Sequence, residues 1–113
     1  MPRPITYGGM RSMWVMTMFD LPTVTKLEKR RYTKFRNMLL DDGFQMFQYS
    51  VYGRPCPSEE NAKVHIDRVK RNIPAAGQVR ILIFTDLQFS RMQVFIGKSE
   101  VMTEKGPEQL SFF

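Results

Sequence analysis

The sequence has almost none of the residues from which covalent staples and metal cages are made: one cysteine, Cys56, and one histidine, His65, in 113 residues. A single thiol excludes an intramolecular disulfide and fits a reducing compartment. One Cys with one His cannot supply a tetrahedral zinc set. Long apolar runs are also missing. No stretch approaches the roughly 18 residues of a membrane span. Gly8, Gly9 and Arg11 interrupt the N-terminus before a signal-peptide core can form. These absences lead us to expect a soluble, cytoplasmic protein. There is no internal repeat, no glycine-rich phosphate loop and no CxxC pair. His65 falls mid-helix without a nucleophile at a telling spacing, so it reads as a partly buried surface histidine rather than a triad member.

Acid is scarcer than base, at 11 acidic against 17 basic residues, and the net charge is +6. Most of the excess lies in one place. Lys26, Lys29, Arg30, Arg31, Lys34 and Arg36 form a run in which Glu28 is the one acid. A compact basic element favours a polyanionic partner, against the plainer reading of a solvated helix face. The chain is long enough for one domain and too short for two independent cores. Its nine methionines, mostly in apolar runs, suit adaptable core packing.

The pattern along the chain predicts alternating strands and helices. Residues 1–12 read as an N-terminal arm. Met13 to Phe19 reads as a strand ending at Asp20, with Pro22 breaking the ladder. Thr25 and Glu28 form a capping box for a helix running to about Asp42, stopped by Gly43. Tyr32, Phe35, Met38 and Leu39 share its apolar face. Phe44 to Val51 reads as two short strands broken near Ser50 and ended by Gly53-Arg54-Pro55. Ser58 caps a second helix whose apolar positions are Ala62, Ile66, Val69 and Ile73. A strand follows from Val79 to Thr85, then a turn from Asp86 to Arg91, then a strand from Met92 to Gly97. The order βαββαβ plus one strand is that of an α+β, ferredoxin-like sandwich. We place the domain at 13–97 and a tail at 98–113, polar until Leu110-Ser111-Phe112-Phe113, which docks on a partner or, on the plainer reading, packs back on its own core.

The first strand is apolar on both faces: Met13, Val15 and Phe19 on one, Trp14, Met16 and Met18 on the other. Two helices cover one face of a sheet, and the reading provides no third helix. The simplest second cover is another copy of the sheet, packed face to face in a homodimer. Asp20 is the sharpest chemical candidate, a carboxylate where an apolar strand gives way to a loop. Two copies of Asp20 near a dimer axis would repel and favour a shared cation such as Mg2+. The plainer reading is a strand-ending turn residue. Asp86 also follows an apolar strand, with a hairpin-turn role as its plainer reading, and Ser50 either shapes a bulge or binds a phosphate through its hydroxyl.

The run Phe19-Asp20-Leu21-Pro22, the basic helix with Arg30, Arg31 and Leu39, and the run Gln48-Tyr49-Ser50-Val51-Tyr52 together resemble the small CRISPR-associated adaptation proteins. Val79 to Phe89 and Met92 to Gly97 extend the resemblance. It implies a ferredoxin-like homodimer whose last strand crosses to the partner's sheet. It also implies a scaffold that bridges dimers of the CRISPR integrase subunit and holds a double-stranded protospacer DNA for insertion. The family is also described as a Mg2+-dependent endonuclease, with Asp20 at the position of its catalytic, metal-binding aspartate. Lys29, Arg30, Arg31 and Lys34 then become the nucleic-acid-binding set. One departure is plain: many members carry a second acid three positions after that aspartate, and here Thr23 stands there. Two other classes fit parts of the pattern. One is a stand-alone, toxin-type endoribonuclease; the other is an RNA-binding module with aromatics on an open sheet.

Overall fold

The apolar run at Met13 becomes the centre of a sheet. In the computed structural model, which describes residues 12–104, β1 spans Met13–Asp20. It is followed by α1 (Lys26–Asp41), β2 (Gln45–Gln48), β3 (Val51–Cys56), α2 (Glu59–Arg71) and β4 (Gln78–Thr85). The strands form one antiparallel sheet in the order β2-β3-β1-β4. β1 pairs with β3 from Met13–Cys56 to Met18–Val51, and with β4 from Met13–Thr85 to Asp20–Gln78. The class is α+β, and the element order through β4 follows the sequence reading.

The helices begin and stop where their caps predict. The Thr25 hydroxyl accepts from the Glu28 amide at 3.1 Å, and the Glu28 carboxylate accepts from the Thr25 amide at 2.9 Å. Gly43, at φ +91°, takes the left-handed step after α1. Ser58 accepts from the Asn61 amide and starts α2. Phe35 and Leu39 of α1, and Ala62 and Val69 of α2, pack on Val15, Phe19 and Tyr52 of the sheet. Each large apolar side chain so buried contributes about 1.5–3 kcal/mol. The α2 stripe is rotated from the expected one. Its buried residues are Ala62, His65 and Val69, while Ile66 is half-buried and Ile73 lies beyond the helix in solvent. The turn brings His65 inward to a carboxylate on α1's end.

Three expectations need correction. β3 does not stop at Gly53-Arg54-Pro55 but runs through it to Cys56. β2 last pairs at Gly53, so at Pro55 only β1 lies alongside, where a residue without an N–H is tolerated. Gly53 is required for another reason: a Cβ there would lie 2.3 Å from the Phe47 ring.

The segment expected to be a turn after Thr85 is a short third helix, α3 (Asp86–Ser90), with its own capping box from Thr85 and Gln88. Phe89 comes down on the outer face of the sheet and stacks on Trp14, ring centres 3.9 Å apart. The Trp14 indole N–H donates to Asp86 at 2.7 Å, and Phe47 adds a tilted ring contact at 5.8 Å. The chain therefore covers Trp14 and Met16 itself, and both are buried. What stays open on that face is Leu82 of β4, directly opposite Met16 and 50% exposed.

The additional strand is shorter than expected. β5 (Val94–Ile96) pairs with β6 (Ser99–Val101), a strand within the stretch read as a polar tail. The two make a separate hairpin and do not extend the main sheet. Among the described residues, β4 therefore has a free outer edge. The arm at 1–11 and the Leu110–Phe113 segment lie outside the described residues.

Candidate functional site

Asp20 is the last residue of β1 and is exposed. Two tight turns bracket it. Gly77 sits against it at φ +101°; a Cβ there would lie 2.8 Å from the Asp20 carbonyl oxygen and 2.7 Å from a Leu21 methyl carbon. On the other side, the Phe19 amide donates to the Ser50 carbonyl at 3.1 Å. Ser50 holds φ +64° in the β2–β3 connection, with a register shift between Met46 and Gln48. It thus serves the turn, its hydroxyl 3.5 Å from that of Tyr32. Asp86 is likewise occupied, as the acceptor for Trp14.

Thr23 stands exposed in the loop, and no group of three His, Cys, Asp or Glu able to hold a metal forms among the described residues. Mg2+ is held by one or two carboxylates with water and substrate phosphates completing six oxygens. One chain brings Asp20 to this rim, and a magnesium held there would take its remaining oxygens from water, substrate phosphate or a second copy.

Lys29, Arg30, Arg31 and Lys34 are all exposed on α1, as the sequence suggested. Arg36 is not part of that face. It is half-buried and donates to the Tyr52 hydroxyl at 3.0 Å. Lys29, Arg30 and Lys34 border a groove of about 890 Å³ against α2, whose Arg68 also lines it. Cys56 takes no part: it is buried, and burial pushes its thiol up, away from the reactive thiolate.

A buried polar lock ties the two helices together at one end of this groove. His65 Nδ1 lies 2.7 Å from Asp42 Oδ2, and Arg68 donates to Asp42 Oδ1 at 2.6 Å. His65 is therefore buried and paired, deeper than the partly buried surface position expected. Burial pushes the Asp42 carboxyl up, but the bonds from His65 and Arg68 outweigh it and hold it below its ordinary value. With a folded-state value below the unfolded one, this stabilisation is full above the unfolded value of about 4 and is lost as pH falls through the folded one. Asp42→Asn is expected to cost about 2–3 kcal/mol at pH 7. Urea melts at pH 7 and pH 3 check it: the gap between wild type and variant narrows in acid. An equal gap at both pH values would show that the carboxylate charge is not the stabilising element.

Sequence and fold together define a small α+β domain with a cationic helical face and one carboxylate at the sheet rim. The chain belongs to the CRISPR-associated Cas2 family: the family described as CRISPR associated protein Cas2 matches residues 13–92. A protein of Parvibaculum lavamentivorans named CRISPR-associated endoribonuclease Cas2 is 52% identical over 101 residues, covering 89% of this chain and all of the relative. One of the same name from Flavobacterium psychrophilum is 47% identical, over 91% of this chain and 90% of the relative. A crystal structure of Cas2 shares the fold with a TM-score of 0.54 at 22% identity, covering 83% of this chain and 99% of the other. No helix among the described residues is long and apolar enough to cross a membrane.

Proposed function

We propose that two copies of this chain form a ferredoxin-like homodimer that holds a protospacer duplex and presents it to the CRISPR integrase for insertion as a new spacer. The observation that carries this reading is the exposed cation set Lys29, Arg30, Arg31 and Lys34 on one helix. Such a set binds phosphates through charge and counterion release and is indifferent to base sequence. The dimer is supported by the open edge of β4, the exposed Leu82, and a hairpin of the same chain that leaves the main sheet. An extended segment adds to a free sheet edge through main-chain bonds. On this reading the hairpin of one copy, with Phe95 and Ile96 exposed, lies along β4 of the other. The apolar tail at Leu110–Phe113 is proposed to dock on the integrase in the same manner.

The test mixes the chain, the integrase from the same genome and a labelled duplex, and separates them by size. One assembly carrying all three is expected, with two copies of this chain. Separate elution of chain and integrase would overturn the proposal. Rapid Mg2+-dependent cleavage of bare RNA without the integrase would favour the toxin-type reading instead.

The endoribonuclease named for the relatives is carried over as a second activity, centred on Asp20. The proposed ion is shared by Asp20 of two copies. Asp20→Asn keeps the size and removes the charge at an exposed site, so the fold survives. Any hydrolysis should fall about 100-fold or more, while integration stays at the wild-type rate. Cleavage of labelled RNA and an integration assay, run side by side, check both halves. Integration lost with dimer and complex intact would show that Asp20 serves the scaffold.

A further inference from the structure

The basic face does not end at α1. Arg68, Lys70 and Arg71 fill the last turn of α2, where cations complement the helix dipole. The dipole alone does not require any of them to face α1. Yet Arg68 lines the groove together with Arg30 and Lys34, and a second cleft that shares Lys34 and Asn72 with it is lined by Arg31 and Arg71. Cations on both walls repel one another in the free protein, and an anion lying between them relieves that repulsion. Asp41 and Asp42 at one end offset only part of the charge. Asp42 is engaged already: with buried His65 behind it, it fixes the Arg68 guanidinium at 2.6 Å, leaving that side chain 49% exposed. The amides of Asn37 and Asn72 add neutral polar groups along the same walls.

We propose that the groove between α1 and α2, walled by Arg30 and Lys34 on one side and Arg68 and Arg71 on the other, takes the phosphodiester backbone of one nucleic-acid strand. The inference rests on the reading of α1 as a phosphate-binding helix and extends it to α2. A linear polyanion suits the site because the cations are spread over two helices and two adjoining clefts. The strand is a free single strand or one strand of a duplex, since both present the same backbone.

The experiment measures binding of a labelled 20-nucleotide single strand, and of the duplex of equal length, by fluorescence anisotropy at several salt concentrations. The variants are Arg71→Gln, Arg68→Gln, Lys70→Gln and the pair Arg30→Gln with Arg31→Gln. Lys70 is exposed on the same helix but does not line the groove, so its variant removes the same charge off the site. Arg71→Gln should weaken binding about 8-fold at 0.1 M salt and lower the salt slope by about 0.9. Lys70→Gln should change affinity by less than about 2-fold. Arg68→Gln should act like Arg71→Gln, with a melting curve to separate loss of the Asp42 contact from loss of the phosphate contact. A loss confined to the single strand assigns the groove to a free strand; a loss with the duplex assigns it to a duplex backbone. If Arg71→Gln matches Lys70→Gln with both ligands, the inference is overturned. If that happens while the Arg30 and Arg31 pair still loses binding, α1 keeps its role; if all variants bind normally, the reading of α1 falls as well.

Discussion

Leu82→Glu is expected to split the proposed homodimer into folded monomers. Leu82 lies on the outer face of an edge strand and is half exposed in one chain, so a charge there does not disturb the protomer's own core. In a face-to-face pair the same carboxylate is buried against its symmetry mate. An unpaired buried charge costs about 3 kcal/mol or more. Two copies per dimer double it to about 6 kcal/mol, a weakening on the order of 10⁴-fold in the dimer constant. Sedimentation should show monomers, with a melting curve close to wild type. Met16 is a poorer probe of the interface, although the sequence points to it. It is buried in its own chain, so Met16→Glu would unfold the protomer and report nothing about the partner. A dimer unaffected by Leu82→Glu would place the interface elsewhere.

Exchanging Arg30 and Arg31 together for Gln is expected to weaken duplex binding about 60-fold at 0.1 M salt. The figure follows from counterion release: each lost phosphate contact removes about 0.9 from the slope of log affinity against log salt. Two contacts remove about 1.8, over one decade below 1 M. Both residues are exposed, so stability should hardly change. The loss should be equal for unrelated duplexes, because phosphate contacts carry no base information. Anisotropy titrations of two unrelated duplexes across a salt series check both statements. A loss confined to one sequence, or binding insensitive to salt, would contradict them.

Much of the backbone was legible because its signals are local. Thr25 with Glu28, Ser58, and Gly43 mark helix ends through bonds and dihedral angles set within a few residues. Asp20 and the α1 cations were legible as residues, since a strand end and a charge run show in the sequence itself. What was missed depends on distant partners. His65 read as a partly buried surface histidine because nothing near it in sequence reveals Asp42, 23 residues away. α3 was read as a turn because its five residues are too few for periodicity, although Thr85 and Gln88 carried a capping-box signal. Its purpose is a contact over a span of 72 residues, from Trp14 to Asp86. Arg68 and Arg71 were not singled out in the sequence, because their nearness to Lys34 needs the packing of two helices.

The most direct measurement of the central claim is integration of a labelled duplex into an array-bearing plasmid by the integrase, with each variant of this chain supplied in turn. The scaffold account predicts that Asp20→Asn supports integration at the wild-type rate, while the Arg30 and Arg31 pair of substitutions reduces it in step with the lost DNA affinity. Integration abolished by Asp20→Asn and untouched by the arginine pair would contradict it.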